Sequence, residues 1–187
     1  MHGNHFKQLI CAYFPTDPDE QSYKQRFLTL LEERADCFER TCFEPGHITA
    51  SAWVINHTED KVLLMHHRKL DAWFQPGGHC DGDPNILDVA LKEVHEETGL
   101  KDVEPVSLSI FDLDIHEIPA IGKEPAHYHY DVRFLIRCVT EPQLSQNHES
   151  KALRWFGKDK SALPNQQRSV LRLLDKWVSK TADLALI

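Results

Sequence analysis

The chain lacks any run of apolar residues long enough to cross a bilayer, and it lacks a stretch with the make-up of a secretory leader. Those absences exclude a helical membrane protein and make a cytoplasmic compartment the expectation. Cysteine is sparse. Cys11, Cys37, Cys42, Cys80 and Cys138 are odd in number and form no Cys-x-x-Cys pair, so a disulfide framework is excluded and reduced thiols are expected. Only Cys80, set among glycines, is a candidate reactive group, and a small loop residue is the simpler reading. Positive charge is in deficit. A formal charge of −8 argues against a nucleic-acid polymer as partner, since such a partner usually demands a basic stripe. It leaves room for small nucleotides, whose charge a metal and a few local cations can meet. Repeats and low-complexity segments are also missing. What remains, 187 residues with 41% hydrophobic and 27% charged, is enough for one domain with an elaboration.

The most informative stretch is GHCDGDPNILDVALKEVHEETGL, residues 78 to 100. Glu93, Glu96 and Glu97 stand at i, i+3 and i+4, which on a helix puts three carboxylates on one face within about one turn. Like charges at that spacing cost an isolated helix roughly 0.2–0.5 kcal/mol per pair. A counter-charge is therefore expected, and a hard divalent cation such as Mg²⁺ takes oxygen ligands from carboxylates and substrate phosphates. The glycine-rich FQPGGHCDGD leads directly into this helix, and backbone brought close to a ligand beside metal-binding carboxylates suits phosphate chemistry. Asn85 is the expected N-cap with Asp88 as its capping-box partner. Ile86, Ala90 and Val94 form the buried row with Leu87 and Leu91 beside it, so the acidic face borders the buried stripe. Gly99 is placed to end the helix in a left-handed conformation.

This run resembles the Nudix box, in which a glycine, five residues, a glutamate and seven residues precede Arg-Glu-aliphatic-any-Glu-Glu-any-Gly-aliphatic. Gly78 matches the first position, and Lys92, Glu93, Val94, Glu96, Glu97, Gly99 and Leu100 match or approximate the second half. Pro84 stands where the box has its first glutamate, and Lys92 replaces the arginine. The resemblance is strongest over residues 47 to 157. It implies an α+β fold, a Nudix-type α/β/α sandwich with a mixed sheet, here with an N-terminal helical extension and a C-terminal helix. A single domain over 1–187 is expected, with 1–45 a helical elaboration and 46–187 the catalytic core. It also implies hydrolysis of a nucleoside diphosphate linked to another moiety, with Mg²⁺ or Mn²⁺ as cofactor. Glu93 and Glu97 are then expected as metal ligands, Glu96 as a ligand to a second ion, and the backbone carbonyl of Gly77 as a further one. Glu93 is the first choice of base. Glu149, in the loop before a late strand, is a candidate catalytic carboxylate. Asp83 or Asp88 is expected to pair with Lys92 in place of the missing brace.

Several histidines precede or follow the box. His66, His67, Arg68 and Trp73 lie just before the glycines and are expected to contact phosphate or a base. His79 follows the paired glycines, and His127 and His129 alternate on a strand and face the same way. All three are candidate substrate contacts. A histidine metal site is a lesser reading, because imidazole prefers ions softer than Mg²⁺. Two other functions stay open: an isomerase of the isopentenyl-diphosphate type, and a non-catalytic nucleotide-binding module. The substrate is expected to be a small nucleotide derivative of unspecified identity. Oligomeric state is open, a homodimer included.

Elsewhere the pattern is plain. Residues 1 to 15 read as irregular, with LICAYFP packing on the core. Asp17 as N-cap, Pro18 and Glu20 start a helix whose apolar face is Tyr23, Phe27, Leu30, Leu31 and Phe38. HITASAWVIN and KVLLMHH form a hairpin. VSLSIFDLDIHEI, HYHYDVRFLIRCVT and LRWFG are further strands. LPNQQRSVLRLLDKWVSK is a final amphipathic helix with Val170, Leu171, Leu174, Trp177 and Val178 on one side.

Overall fold

A computed structural model describes residues 3–184. Its centre is strand β1, Gly46–Ile55, which is buried along its whole length. Neither face of this strand is therefore turned to solvent. Ile48, Ala50, Ala52 and Val54 enter one hydrophobic core, while Trp53 and Ile55 enter another on the opposite face. A strand buried on both faces needs helices above and below. Helices α1 (Gly3–Ala12), α2 (Pro18–Glu33) and α3 (Ile86–Thr98) supply Phe6, Ile10, Phe27, Leu30, Val89 and Val94 to the first core. Helix α4 (Arg168–Leu184) supplies Val170, Leu173, Leu174 and Trp177 to the second. The α/β/α sandwich with N- and C-terminal helices is as expected.

The mixed sheet runs through β3 (Ala72–Phe74), β2 (Val62–His67), β1, β7 (His127–Cys138) and β5 (Val103–Pro105). β1 and β7 are parallel over their full register, from Gly46 opposite Tyr128 to Ile55 opposite Arg137. β1 and β2 form the expected antiparallel hairpin. β6 (Asp112–Ile118) pairs with β7, β8 (Ser150–Phe156) with β2, and β4 (Gly77–His79) with β1.

The N- and C-terminal helices depart from the sequence reading in four places. The first residues are not irregular: Gly3–Ala12 form α1, and Phe6 and Ile10 reach the core. α2 stops at Glu33, so Phe38 joins the core from a turn. α4 begins at Arg168, because the residues before it are held as a turn in which Asn165 Oδ1 accepts the Gln167 N–H and Asn165 Nδ2 donates to the Trp73 carbonyl. Val178 is 38% exposed and lies off the apolar side, where Leu173 sits instead. The start of α2 is as expected, with Asp17 Oδ1 accepting the Asp19 N–H at 2.9 Å.

A buried charge network joins the layers. Asp112, on β6, accepts from Arg133 on β7 at 3.2 Å and from Arg172 and Lys176 on α4 at 2.8 and 2.9 Å. Lys176 also reaches Glu20 on α2 at 2.5 Å. Arg133 continues to Asp114 at 3.0 Å and Asp131 at 2.8 Å. Asp131 in turn accepts from Ser51 at 2.8 Å and from Gln75, two residues before Gly77, at 3.5 Å. The network that fastens α2 and α4 to the sheet therefore ends against the glycine segment.

Candidate functional site

The site forms where β4 meets α3. The glycine segment, expected as a loop, pairs with β1 as a short strand: Gly77 lies opposite Ser51, Gly78 opposite Ala50 and His79 opposite Thr49. Both glycines are required by close approach. A Cβ on Gly77 would fall 2.3 Å from Ser51 Cβ and 2.7 Å from the Ala50 carbonyl oxygen. A Cβ on Gly78 would fall 2.7 Å from the Glu93 carboxyl carbon. Glu93 is thus laid directly over the strand backbone.

α3 carries its carboxylates as the spacing predicts. Glu97 is 4% exposed and its Oε2 accepts the Gly77 N–H at 2.9 Å. Among the described residues neither Glu93 nor Glu97 forms an ion pair. Burial pushes the Glu97 carboxyl up to about 8; the Gly77 N–H opposes this, while the charges of Glu93, Glu149 and Glu96 add to it. Burial raises Glu93 as well, with Lys92 opposing and Glu96 and Glu149 reinforcing. Glu149 is exposed but close enough to act on both by its charge. Glu96 is exposed and faces Lys92 at 3.7 Å.

Two expectations about the support of this site are corrected. Lys92 pairs with Glu96, one helical turn away, and not with Asp83 or Asp88. The Asn85 side chain makes no cap bond; Asp83 Oδ1 instead accepts the Asn85 N–H at 2.9 Å, forming a turn that feeds the helix. The brace comes from the N-terminal elaboration. Arg40 holds both oxygens of Asp81 at 2.5 Å, and the Gly82 N–H donates to the Phe38 carbonyl at 3.0 Å. Gly99 ends α3 at φ 72, the left-handed cap expected of it. Cys80 is buried and burial raises its thiol, so it remains a packed thiol and no nucleophile.

The remaining candidates fall into two groups. His66 stacks on Trp73 with ring centres 5.0 Å apart, and its Nε2 lies 3.0 Å from Asp71. His67 Nδ1 accepts the Leu70 N–H at 3.1 Å, and Arg68 donates to the carbonyls of His148 and Ser150, both at 3.0 Å. Arg68 is thus spent on the loop that carries Glu149. His79, His127 and His129 gather elsewhere, around His47. Gly78 and His79 are successive on a strand, so they face opposite sides of the sheet. The glutamates lie on the Gly78 side and the histidines on the other. His47 was not singled out in the sequence, because it joins the group only through its register with His129. Burial pushes the His47 imidazole down to about 4 and lowers His129 and His79 too.

A helix-borne pair of carboxylates, one buried and one half-buried, set against a glycine strand in a sheet closed by helices on both faces, defines a class that comparison with known proteins identifies. A family model described as the NUDIX domain matches residues 45–176, and the chain belongs to that family as a Nudix hydrolase. The asymmetrical bis(5'-nucleosyl)-tetraphosphatase of Rattus norvegicus is 32% identical over 108 residues, covering 58% of this chain and 71% of the rat protein. The phosphatase NudJ of Escherichia coli O1:K1 / APEC is 26% identical over 132 residues, 69% of this chain and 79% of NudJ. Among solved structures, the Nudix hydrolase RenU of M. Smegmatis superposes with a TM-score of 0.54 at 20% identity, over 75% of this chain and 92% of RenU. Among the described residues no helix is long and apolar enough to cross a membrane.

The Gly78 contact gives a direct check. The Glu93 carboxylate is the free end of a flexible side chain, so Gly78→Ala is expected to displace it and leave the fold standing. Activity should fall by about 100-fold, the scale of misplacing a reacting group by about 1 Å, with a denaturation midpoint close to wild type. An unaltered rate would show that Glu93 has no part in the chemistry.

Proposed function

We propose that this protein is a divalent-metal-dependent hydrolase that cleaves the pyrophosphate linkage of a nucleoside diphosphate derivative. The observation that carries the reading is Glu97: a carboxylate 4% exposed, beside the half-buried carboxylate of Glu93, with a backbone N–H as its partner and no cation among the described residues. Burying such a charge unpaired is expensive. The donor set, two oxygens held by a helix with Glu149 and the Gly77 backbone nearby, fits a hard oxygen-seeking ion such as Mg²⁺. Glu93 and Glu97 would hold it, with the Gly77 carbonyl as a further ligand and Glu96 on the exposed side for a second ion. When bound, the ion withdraws charge from phosphoryl oxygens and lowers the pKa of an attacking water.

The chain's own groups supply the rest. The Gly77 N–H fixes the Glu97 carboxylate, so that its orientation is set before substrate arrives. Glu93, lying over Gly78, takes the proton of the water as its oxygen bonds to phosphorus, and the bridging oxygen departs with the other phosphate. Glu149 adds negative charge at the rim, which favours binding of the ion. The half-buried His66–Trp73 stack is a surface on which a base can lie. His67, Arg68, His79, His127 and His129 are not assigned to substrate in this reading.

A panel of dinucleoside polyphosphates, nucleoside triphosphates and ADP-ribose, incubated with Mg²⁺ and then with chelator, tests the proposal. Release of nucleoside phosphates that stops on chelation is expected. No release from any nucleotide, together with isomerisation of a prenyl diphosphate, overturns it in favour of the isomerase.

A further inference from the structure

The histidines on the far side of β4 form a second site. His47 and His129 face each other across β1 and β7, and His127 is two residues earlier on β7 on the same face. One ring nitrogen from each of the three can be chosen so that all lie within 4.8 Å of one another. The rings of His47 and His127 are stacked 4.9 Å apart, and those of His47 and His129 are 4.8 Å apart. His79 and His116 stand at the rim, their rings 5.2 and 5.5 Å from that of His129.

Hydrogen bonding fixes which nitrogens are available. His47 Nδ1 lies 3.2 Å from the Cys42 carbonyl, and His127 Nδ1 lies 2.8 Å from the Pro125 carbonyl. A carbonyl can only accept, so Nδ1 carries the proton in both rings and each Nε2 keeps its lone pair. This is the arrangement by which proteins orient metal-binding imidazoles: one ring nitrogen tied to a carbonyl, the other free to ligate. The His47 Nε2 is an independent sign. His47 is 1% exposed, and its Nε2 has no hydrogen-bond partner among the described residues. An orphaned buried acceptor costs about 1–3 kcal/mol, and a ligand to its lone pair would remove that cost.

We infer that His47, His127 and His129 bind a divalent transition-metal ion, Zn²⁺ or a neighbour such as Co²⁺ or Ni²⁺, at a site distinct from the glutamates of α3. Three imidazole nitrogens suit ions of intermediate softness, whereas Mg²⁺ keeps to oxygen. Zinc–nitrogen bonds are about 2.0–2.1 Å, so binding would draw together nitrogens that now lie within 4.8 Å of one another. His79 and His116 are further imidazoles beside the group. The ion would tie the start of β1 to the start of β7, beside the strand that carries the glycines.

The test is metal binding in excess Mg²⁺, which saturates the glutamates. Chelator-treated protein is titrated with Co²⁺ and Zn²⁺, following visible absorption and heat. One ion per chain is expected, with an X-ray absorption spectrum of the zinc form showing several imidazoles in the first shell. His127→Gln and His129→Gln should each weaken binding at least about 100-fold, with near-UV circular dichroism confirming that they fold. Glu97→Gln should bind as wild type does. Absence of stoichiometric binding by the wild-type protein, a first shell of oxygens only, or loss of binding in Glu97→Gln would overturn the inference. None of these readouts depends on hydrolase activity, so the proposed function stands or falls separately.

Discussion

Glu97→Gln is expected to abolish turnover and to leave the fold as stable as before, or more so, in metal-free buffer. The rate loss should be at least about 100- to 1000-fold, the scale of removing a preorganised electrostatic element from an active site. Glutamine keeps an oxygen that can accept the Gly77 N–H now bonded at 2.9 Å, so the helix–strand contact survives. What is lost is the charge. In metal-free protein that charge is a burden, since burial pushes the carboxyl from 4.5 up to about 8. A folded-state value above the unfolded one means that the native protein holds its proton longer. The contribution to stability is full below the unfolded value and is lost as pH rises through about 8. The metal-free variant should therefore overtake wild type in stability as pH rises from 4.5 towards 8. Added Mg²⁺ should reverse the order, because only wild type gains by binding it. Thermal unfolding at several pH values, with and without Mg²⁺, measures all of this. A variant that hydrolyses at near wild-type rate, or that is stabilised by Mg²⁺ to the same degree, would remove Glu97 from the metal site.

The acidic helix was legible because everything that defines it is local. The spacing of Glu93 and Glu97, the buried row of Ile86, Ala90 and Val94, and the terminal Gly99 all lie within a few turns, and the structure keeps each of them. β4 was not legible. A three-residue strand has no pattern of its own, and Gly77–His79 is extended because β1 pairs with it. The histidine group was half legible. Alternation places His127 and His129 on one face, but His47 and His116 join only through pairings with β7 that no spacing reveals. The brace was misplaced for the same reason: Lys92 invited a search within the box, while Arg40, distant in sequence, holds Asp81. Least visible was the buried network. FDLDIHEI reads as a strand, and nothing in its pattern reveals that Asp112 is 0% and Asp114 4% exposed.

That network should be the most sensitive point of the fold. Asp112 is the shared acceptor for Arg133, Arg172 and Lys176, and the two arginines are 3% and 8% exposed. Replacing a buried ion pair by apolar groups can be harmless, but removing one partner strands the others without water or counter-charge, at about 3–5 kcal/mol. Asp112→Ala removes the acceptor that three cations share and leaves them only Glu20, Asp114 and Asp131 as counter-charges, against a total stability of about 5–15 kcal/mol for a typical domain. The expected result is a large drop in denaturation midpoint or loss of folded protein, with Asp112→Asn intermediate because it retains one acceptor oxygen. The acid limb carries a second signature. Burial works to raise the Asp112 carboxyl, but the hydrogen bonds from Arg172 and the charges of Arg133 and Lys176 outweigh it and hold the carboxyl below 3.8. Asp114 is held low in the same way, burial being outweighed chiefly by Arg133 and His116. A depressed folded-state value gives stability that is present above the unfolded value of 3.8 and lost as pH falls through the folded one. Glu20, whose carboxyl is raised by burial and by the charge of Asp112, works in the opposite direction. Wild type should therefore lose stability on acidification below pH 3.8 more steeply than Asp112→Asn does. The comparison is made by denaturant titration across the acid range. Equal slopes would mean that Asp112 is not charged in the folded protein.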